Sequence, residues 1–272
     1  MSQEEPEFNS YYLKVKTYYD EDSLSFKSRG ESNPLLARIR ESFREESEPL
    51  QFKHALEIGY GPGFDLVYFS GRQKAGKVYG LDISQGMQHV AKEAIQSAGL
   101  ENCLAEVGSV EDIETQFPGI EFDFIYVFFG GLNTVEDLSK AANHLDRVLL
   151  PGGKMVLTFV NKWYLLGILK PLLKLKFGLA FRRLRKTWGG YSLSRFLPSK
   201  CYSPADVRKA FSRFKEVKHR GYSILFPAWY EHSKFSNRRQ TERRWKWDAM
   251  LNRTPLWGCG EYTLFVFEKR EK

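Results

Sequence analysis

Residues 54–63, which read His-Ala-Leu-Glu-Ile-Gly-Tyr-Gly-Pro-Gly, carry the strongest fold signal in this 272-residue chain. A short apolar run ends there at three closely spaced glycines, and a helix-compatible stretch with Leu66, Val67 and Phe69 follows. Glycine permits a tight turn and lets a ligand approach the backbone where a β-carbon would clash. The first N–H groups of the following helix have no partner within that helix. This strand, turn and helix therefore predict a ligand site at the carboxyl edge of a sheet.

The alternation of strands and helices continues on the C-terminal side of this stretch. Further strands are predicted at residues 77–82, 103–107, 122–129 and 155–160. Helices are predicted between them at residues 85–98 and 134–149, with a turn at 150–154. Strands that alternate with helices of this length imply right-handed crossovers. The predicted fold class is therefore α/β, a doubly wound and mostly parallel sheet with helices on both faces.

The rest of the chain is predicted to form cap segments and to complete the sheet. Ser203 followed by Pro204 is typical of a helix start, and strands near 216–226 and 261–268 are expected to close the sheet. The predicted division is an N-terminal helical cap segment at 1–50, an α/β core at 51–160, a basic helical insertion serving as a lid at 161–200, and the C-terminal part of the sheet at 201–272 with a second cap insertion at 227–256.

Charge is distributed unevenly along the chain. The first 160 residues carry 15 Lys and Arg against 25 Asp and Glu, whereas the remainder carries 26 against 8. No acidic residue occurs from Asn161 to Ala205. Such asymmetry favours an anionic partner for the C-terminal part, and a solvated basic face is the alternative.

Composition excludes several classes of protein. Apolar residue types make up 42% of the chain, which is enough to bury a core, and no apolar run reaches the length of a membrane span. The polar, acidic start predicts no signal peptide. The cysteines Cys103, Cys201 and Cys259 are far apart, which argues against a disulfide framework or a zinc site and favours a cytoplasmic location. No metal site is predicted.

The chemistry of the glycine turn distinguishes between two cofactor classes. A dinucleotide-binding turn would need glycine at position 64, where this chain has Phe64. Glu57 would repel a pyrophosphate at the turn, whereas it would attract a ligand that carries an ammonium group. A nicotinamide-dependent oxidoreductase is therefore disfavoured.

Together, these residues resemble the class I S-adenosylmethionine-dependent methyltransferases over roughly residues 50–160. The resemblance implies a Rossmann-like fold with seven strands, and S-adenosyl-L-methionine as the cofactor. In this family an acidic residue and a Gly-x-Gly-x-Gly turn wrap the methionine part of the cofactor. The positions that match this pattern are Glu57, Gly59, Tyr60, Gly61 and Gly63.

The resemblance also assigns the remaining cofactor-binding residues. Asp82, at the end of the second strand, would bind both ribose hydroxyls, because one carboxylate can accept two hydrogen bonds from a diol. Ser109 stands where the family commonly has an acidic residue, so adenine would be contacted by its hydroxyl or by the backbone of Ser109 and Val110. The other assignments are Ile83 and Met87 beside adenine, Phe128 beside the sulfonium, and Tyr19 over the cofactor.

The methyl acceptor and any general base are less well determined by the sequence. His232 is the candidate base, because it lies in a segment expected to cover the mouth of the site. The leading hypothesis is a small-molecule acceptor with an anionic or apolar character, methylated on oxygen, nitrogen or carbon. The basic, leucine-rich insertion favours as alternatives a lipid-linked or isoprenoid acceptor and contact with a membrane surface. RNA is a further alternative, suggested by a cluster of basic and aromatic residues: Arg238, Arg239, Arg243, Arg244, Trp245 and Trp247. Nucleic acid is nevertheless disfavoured as a partner, because no RNA-binding motif accompanies these charges.

Overall fold

A seven-stranded sheet forms the centre of the computed structural model, which describes residues 8–47, 51–73, 76–192, 194–234 and 238–271. The polar start of the chain, on which the absence of a signal peptide was predicted, lies outside these residues. The strands are β1 (His54–Ile58), β2 (Lys77–Asp82), β3 (Cys103–Val107), β4 (Phe122–Val127), β5 (Leu149–Val160), β6 (Lys215–Tyr222) and β7 (Tyr262–Glu268). Their order is β3-β2-β1-β4-β5-β7-β6, and β7 runs antiparallel to β5 and β6 while the remaining pairs are parallel. The predicted doubly wound, mostly parallel sheet is confirmed.

Helices cover both faces of this sheet. They are α1 (Ser10–Ser32), α2 (Pro34–Glu45), α3 (Phe64–Arg72), α4 (Gln85–Ser97), α5 (Ile113–Gln116), α6 (Leu138–Val148), α7 (Leu165–Leu172), α8 (Phe177–Ala180), α9 (Pro204–Ala210) and α10 (Arg238–Leu251). Short 3-10 helices lie at Val110–Asp112, Gly131–Thr134, Arg182–Leu184, Trp229–Lys234 and Pro255–Cys259. The predicted start of α9 is confirmed, because Ser203 caps it in a capping box with Asp206 and Pro204 is its first residue.

The core consists of two apolar layers, one on each face of the sheet. Phe124 and Val156 point into the layer that contains Phe69 of α3, whereas Ile125 points into the layer that contains Leu145 of α6. All but Phe69 of these side chains are at most 1% exposed. Strands buried on both faces are typical of a parallel sheet, which explains why β4 is apolar along almost its whole length.

The boundaries of two elements around β4 differ from the sequence prediction. β4 ends at Val127 instead of 129, and α6 begins only at Leu138, where Asp137 caps it. Asn133, in the 3-10 turn between them, accepts a hydrogen bond from Val160 N and donates to Lys200 O, which fixes the turn in place of a helical start. The predicted turn at 150–154 lies within β5, where Gly152 at φ +74° donates to Lys269 O.

The insertion at 161–200 contains two short helices, α7 and α8. Pro171 stands in the last turn of α7, and proline disfavours continuation of a helix because it lacks an N–H donor. Within the described residues, no helix combines the length and the apolar character that crossing a membrane requires. The division of the chain into core and cap segments remains a prediction.

Candidate functional site

A cleft lies at the carboxyl edge of β1, β2 and β4, beneath α1. It encloses about 880 Å³ of space, part of it open to solvent. α1 is anchored over this edge by Asp20, which accepts hydrogen bonds from Ser84 Oγ at 2.6 Å and Gly86 N at 3.0 Å. All predicted cofactor-binding residues except Gly63 line the cleft: Tyr19, Glu57, Gly59, Tyr60, Gly61, Asp82, Ile83, Met87, Ser109, Val110 and Phe128.

Two glycines of the turn have different roles: Gly61 faces the cleft, and Gly63 packs against a neighbouring helix. Gly61 lines the cleft with φ +55°, and among the described residues a β-carbon there would come within 4 Å of Phe26 alone, at 3.8 Å. Gly63 has φ +81°, and its β-carbon would lie 3.0 Å from the side chain of Ala91 on α4. Gly63 therefore allows α3 and α4 to approach each other, and the structure does not place it on the cleft surface.

Glu57 carries a buried carboxylate oxygen, Oε2, that has no hydrogen-bond partner within the residues that the structure describes. The side chain is 2% exposed. Burial, followed by the negative charge of Asp65, raises the pKa of Glu57 well above its ordinary value. The nearby Arg40 and Arg44 are bound to Asp65 at 2.6 and 2.7 Å and do not pair with Glu57. Because an unpaired buried carboxylate is costly, the site is suited to a ligand that supplies a cationic donor.

Asp82 is held in position by backbone donors on two sides. Its Oδ2 accepts a hydrogen bond from Gly61 N at 2.8 Å, and its Oδ1 accepts one from Ser84 N at 3.0 Å. Burial is the main cause that raises the pKa of Asp82 to about 6. The carboxylate is thereby fixed beside the glycine turn, with oxygen lone pairs left to accept further hydrogen bonds from a ligand.

The raised pKa of Asp82 predicts a pH-dependent affinity for the cofactor. Below about pH 6 a proton competes for the carboxylate, so we expect Kd to rise about tenfold for each further pH unit. In the protein without cofactor, the raised pKa of Asp82 has the opposite effect on stability, because acid then favours the folded state. The folded state binds more protons than the unfolded state between about pH 4 and pH 6, so the contribution of Asp82 to stability grows as pH falls.

Calorimetric titration of S-adenosylhomocysteine across this range measures the pH dependence. In the Asp82→Asn variant, the rise in Kd below about pH 6 should disappear. Only the pH dependence of Kd that Glu57 contributes should remain. An equal slope in both proteins would contradict the assignment of the step to Asp82.

Ser109 is engaged within its own turn. Its hydroxyl donates to Asp112 Oδ2 at 2.7 Å and accepts from Glu111 N at 3.2 Å, forming the cap of the turn at Val110–Asp112. Of the two contacts predicted for adenine, the geometry therefore favours the backbone at Val110, which is 1% exposed as a residue and lines the cleft.

Several cleft residues were not predicted from the sequence. Phe129 follows β4 with φ 53°, a strained conformation for a residue other than glycine, and such strain is concentrated at functional sites. Tyr12 and Phe26 reach the cleft from α1, and Arg40 reaches it from α2. The one available signal was the position of Phe129 beside Phe128 at the end of an apolar strand.

His232 does not belong to this constellation. The structure places it in the 3-10 helix at Trp229–Lys234, exposed to solvent, and it does not line the cleft. Its role as a base remains a prediction. The cleft tyrosines do not replace it, since burial raises the pKa of Tyr12, Tyr19 and Tyr60 and keeps their hydroxyls protonated at neutral pH.

The sheet order, the antiparallel β7 and the glycine-lined cleft define a class I methyltransferase fold. The fold superposes on the N-methyltransferase NodS from Bradyrhizobium japonicum in complex with S-adenosylhomocysteine, with a TM-score of 0.57 and 14% identity over 97% of this chain and 100% of that chain. Residues 55–153 match the family model of the methyltransferase domain. Residues 55–153 are thus a methyltransferase domain within a class I fold, and the cofactor of this enzyme is S-adenosylmethionine.

Relatives of the chain differ in how much of it they match. An uncharacterized protein of Methanocaldococcus jannaschii is 26% identical over 218 residues, which cover 79% of this chain and 78% of that protein. The demethylmenaquinone methyltransferase of Geobacillus stearothermophilus is 36% identical over 78 residues, which cover 29% of this chain and 32% of that enzyme. The chain thus spans about a third of this methyltransferase, and the match does not extend to its full length.

Proposed function

We propose that this enzyme transfers the methyl group of S-adenosylmethionine to a small molecule that combines an apolar body with an anionic group. The observation that carries the proposal is a second cleft at the same sheet edge, called here the cap cleft. It is lined mainly by α7, α8 and the segments that follow them, and it encloses about 920 Å³ of space, part of it open to solvent. Its principal walls are Tyr164, Lys170, Arg182, Trp188, Tyr191 and Tyr230.

The charge of the cap cleft favours an anionic group. At its base, Arg183 pairs with Glu261 at 2.7 Å, and at its rim Lys170 pairs with Glu231 at 2.7 Å. Arg182 has no carboxylate partner within the described residues, and burial lowers the pKa of its guanidinium. A partly desolvated arginine without a counter-ion is suited to a carboxylate or phosphate group. The aromatic walls are suited to an apolar body.

Three packed aromatic side chains, Tyr191, Tyr262 and Phe129, join the wall of the cap cleft to the wall of the cofactor cleft. Tyr191 Oη lies 3.0 Å from Tyr262 Oη, and the ring of Tyr262 lies 5.8 Å from the ring of Phe129. Phe129 lines the cofactor cleft at the end of β4. We infer that the anionic group of the acceptor binds at Arg182 while the reacting end extends toward Phe129.

The residues of the cofactor cleft suit S-adenosylmethionine, which supplies a methyl group on a positively charged sulfur. We propose that Glu57 holds its ammonium group, Asp82 its ribose hydroxyls, and Gly61 the backbone space that it needs. The leaving group is already good, so the protein contributes mainly by aligning acceptor and donor. Alignment of this kind can lower a barrier by about 7 to 11 kcal/mol. α1 covers part of the cofactor cleft with Tyr12, Val15 and Tyr19.

The test is methyl transfer from labelled S-adenosylmethionine to cell extracts separated by size. We expect label in the small-molecule fraction and, for Arg182→Leu, a rise in the acceptor KM of about tenfold or more with unchanged cofactor affinity. Arg185→Leu serves as the matched control, because Arg185 is exposed in the same segment and does not line the cap cleft. Label in RNA or protein, or equal effects of the two variants, would contradict the proposal.

The RNA alternative has weaker support from the structure. Trp245 is 9% exposed and lies under Arg38, whose guanidinium carbon is 4.6 Å from its ring centroid. It packs in the core instead of presenting a stacking surface for bases. A lipid-linked acceptor would also combine an apolar body with an anionic group, and extraction of the labelled product into organic solvent would distinguish it from a water-soluble one.

A further inference from the structure

The connection between α7 and α8 exposes large apolar side chains at its tip. Leu173 is 86% exposed, Leu175 is 77% exposed and Phe177 is 57% exposed. They alternate with Lys174 and Lys176 in the sequence. Contiguous exposed apolar residues with a polar rim mark interaction sites, whereas single exposed ones need no explanation.

The backbone of this tip is held in an uncommon conformation. Leu175 has φ 54°, in the left-handed region that leucine rarely adopts. The turn is closed by hydrogen bonds from Lys174 N to Pro171 O at 3.0 Å and from Lys176 N to Pro171 O at 2.9 Å. The tip therefore displays its leucines on a closed, hydrogen-bonded turn.

α7 presents different residues on its two sides. Leu165, Leu169 and Leu173, spaced four residues apart, are 39%, 43% and 86% exposed and share one side of the helix. Leu166, Gly167, Lys170 and Pro171 line the cap cleft on the other side. The leucine stripe thus continues the apolar tip along the outer surface of the cap.

Charge indicates what kind of surface would cover these residues. Residues 161–205 contain ten Lys and Arg and no Asp or Glu. Apolar side chains that insert and lysines that remain at the headgroup level are the combination that binds an anionic bilayer surface. A protein partner would need an acidic surface of matching shape, whereas a bilayer of anionic lipids supplies both the charge and the apolar layer.

We propose that the α7–α8 tip docks the enzyme on an anionic lipid bilayer, with Leu173, Leu175 and Phe177 inserted and Lys174 and Lys176 at the headgroups. The inference is independent of the acceptor proposed above, because docking involves neither methyl transfer nor the cap cleft side of α7. Docking would bring the cap cleft close to the membrane surface.

The experiment is sedimentation of the full chain with vesicles of phosphatidylcholine alone or mixed with phosphatidylglycerol. We expect binding to the anionic vesicles at low salt, weakened by added salt and by Lys174→Ser/Lys176→Ser. Leu173→Glu/Leu175→Glu should weaken it about tenfold or more. Leu24→Glu/Met250→Glu is the matched control, because these side chains are 75% and 63% exposed elsewhere on the molecule.

Two other readouts accompany the sedimentation. S-adenosylhomocysteine affinity should be equal in all variants, which shows that each protein is folded. The proposal is overturned if the unmodified chain binds neither kind of vesicle at low salt. It is equally overturned if Leu173→Glu/Leu175→Glu and the control Leu24→Glu/Met250→Glu lose vesicle binding to the same extent. It is also overturned if the tip variant abolishes a dimer in analytical ultracentrifugation without changing vesicle binding, since the tip would then contact a second copy of the chain.

Discussion

Gly61→Val is expected to abolish binding of S-adenosylmethionine while the protein remains folded. In the part of the chain that the structure describes, a β-carbon at position 61 would meet Phe26 alone, at an ordinary contact distance of 3.8 Å, so the fold has room for it. Both residues line the cofactor cleft, so the two valine methyl groups would occupy space intended for the ligand. A β-branched residue at φ +55° also strains the backbone, by about 1 to 3 kcal/mol.

The strain and the blockage of the cleft can be separated by Gly99→Val. Gly99 has φ +63°, and none of the residues described in the structure comes within 4 Å of a β-carbon there. Both variants should therefore lower the free energy of unfolding to a similar extent in denaturant titrations. Only Gly61→Val should lose the calorimetric signal of cofactor binding. If Gly61→Val bound the cofactor normally, the cleft would not be the cofactor site.

Asp82→Ala should raise the cofactor Kd at neutral pH by a hundredfold or more. The carboxylate is proposed to accept hydrogen bonds from two ribose hydroxyls, and each bond to a charged group is worth about 1.5 to 3 kcal/mol. The variant also releases Gly61 N, which the carboxylate now holds at 2.8 Å, so the glycine turn loses a positional constraint. Calorimetry with S-adenosylhomocysteine measures the change.

Asp123→Ala is the matched control for this variant. Asp123 also accepts two backbone hydrogen bonds, from Lys53 N at 2.7 Å and His54 N at 3.2 Å, but at the start of β1. The Asp123→Ala substitution therefore removes a comparable set of hydrogen bonds at the amino end of β1, away from the cleft. Equal losses of cofactor affinity in the two variants would show that Asp82 acts through the sheet and not through the ligand.

Much of the cofactor cleft was predictable because its residues are close in sequence to strand ends. Glu57, Gly61 and Asp82 follow or end predicted strands, and parallel strands bring their carboxyl ends to one edge. Arg40 and Phe26 carry no comparable signal. They reach the cleft because α1 and α2 pack across the sheet edge, and the docking of a helix depends on contacts that are distant in sequence.

The cap shows the limit of sequence patterns most clearly. The basic, leucine-rich composition of 161–200 predicted a helical lid, but the pattern did not reveal which leucines are exposed. The turn after α7 places Leu173 and Leu175 outside, whereas Leu179 lines the cap cleft. The pairing of Arg183 with Glu261, 78 residues apart, was likewise not visible in the sequence.

The sequence by itself determined the α/β class, the position of the glycine turn and the carboxylates beside it, because hydrophobic periodicity and glycine spacing are local properties of the chain. The tertiary structure decided that Gly63 packs on Ala91, that the Ser109 hydroxyl is used by Asp112, and that Arg182, which has no carboxylate partner within the described residues, lines a second cleft. These outcomes depend on which segments pack together. Packing is set by the shape and burial of side chains far apart in sequence.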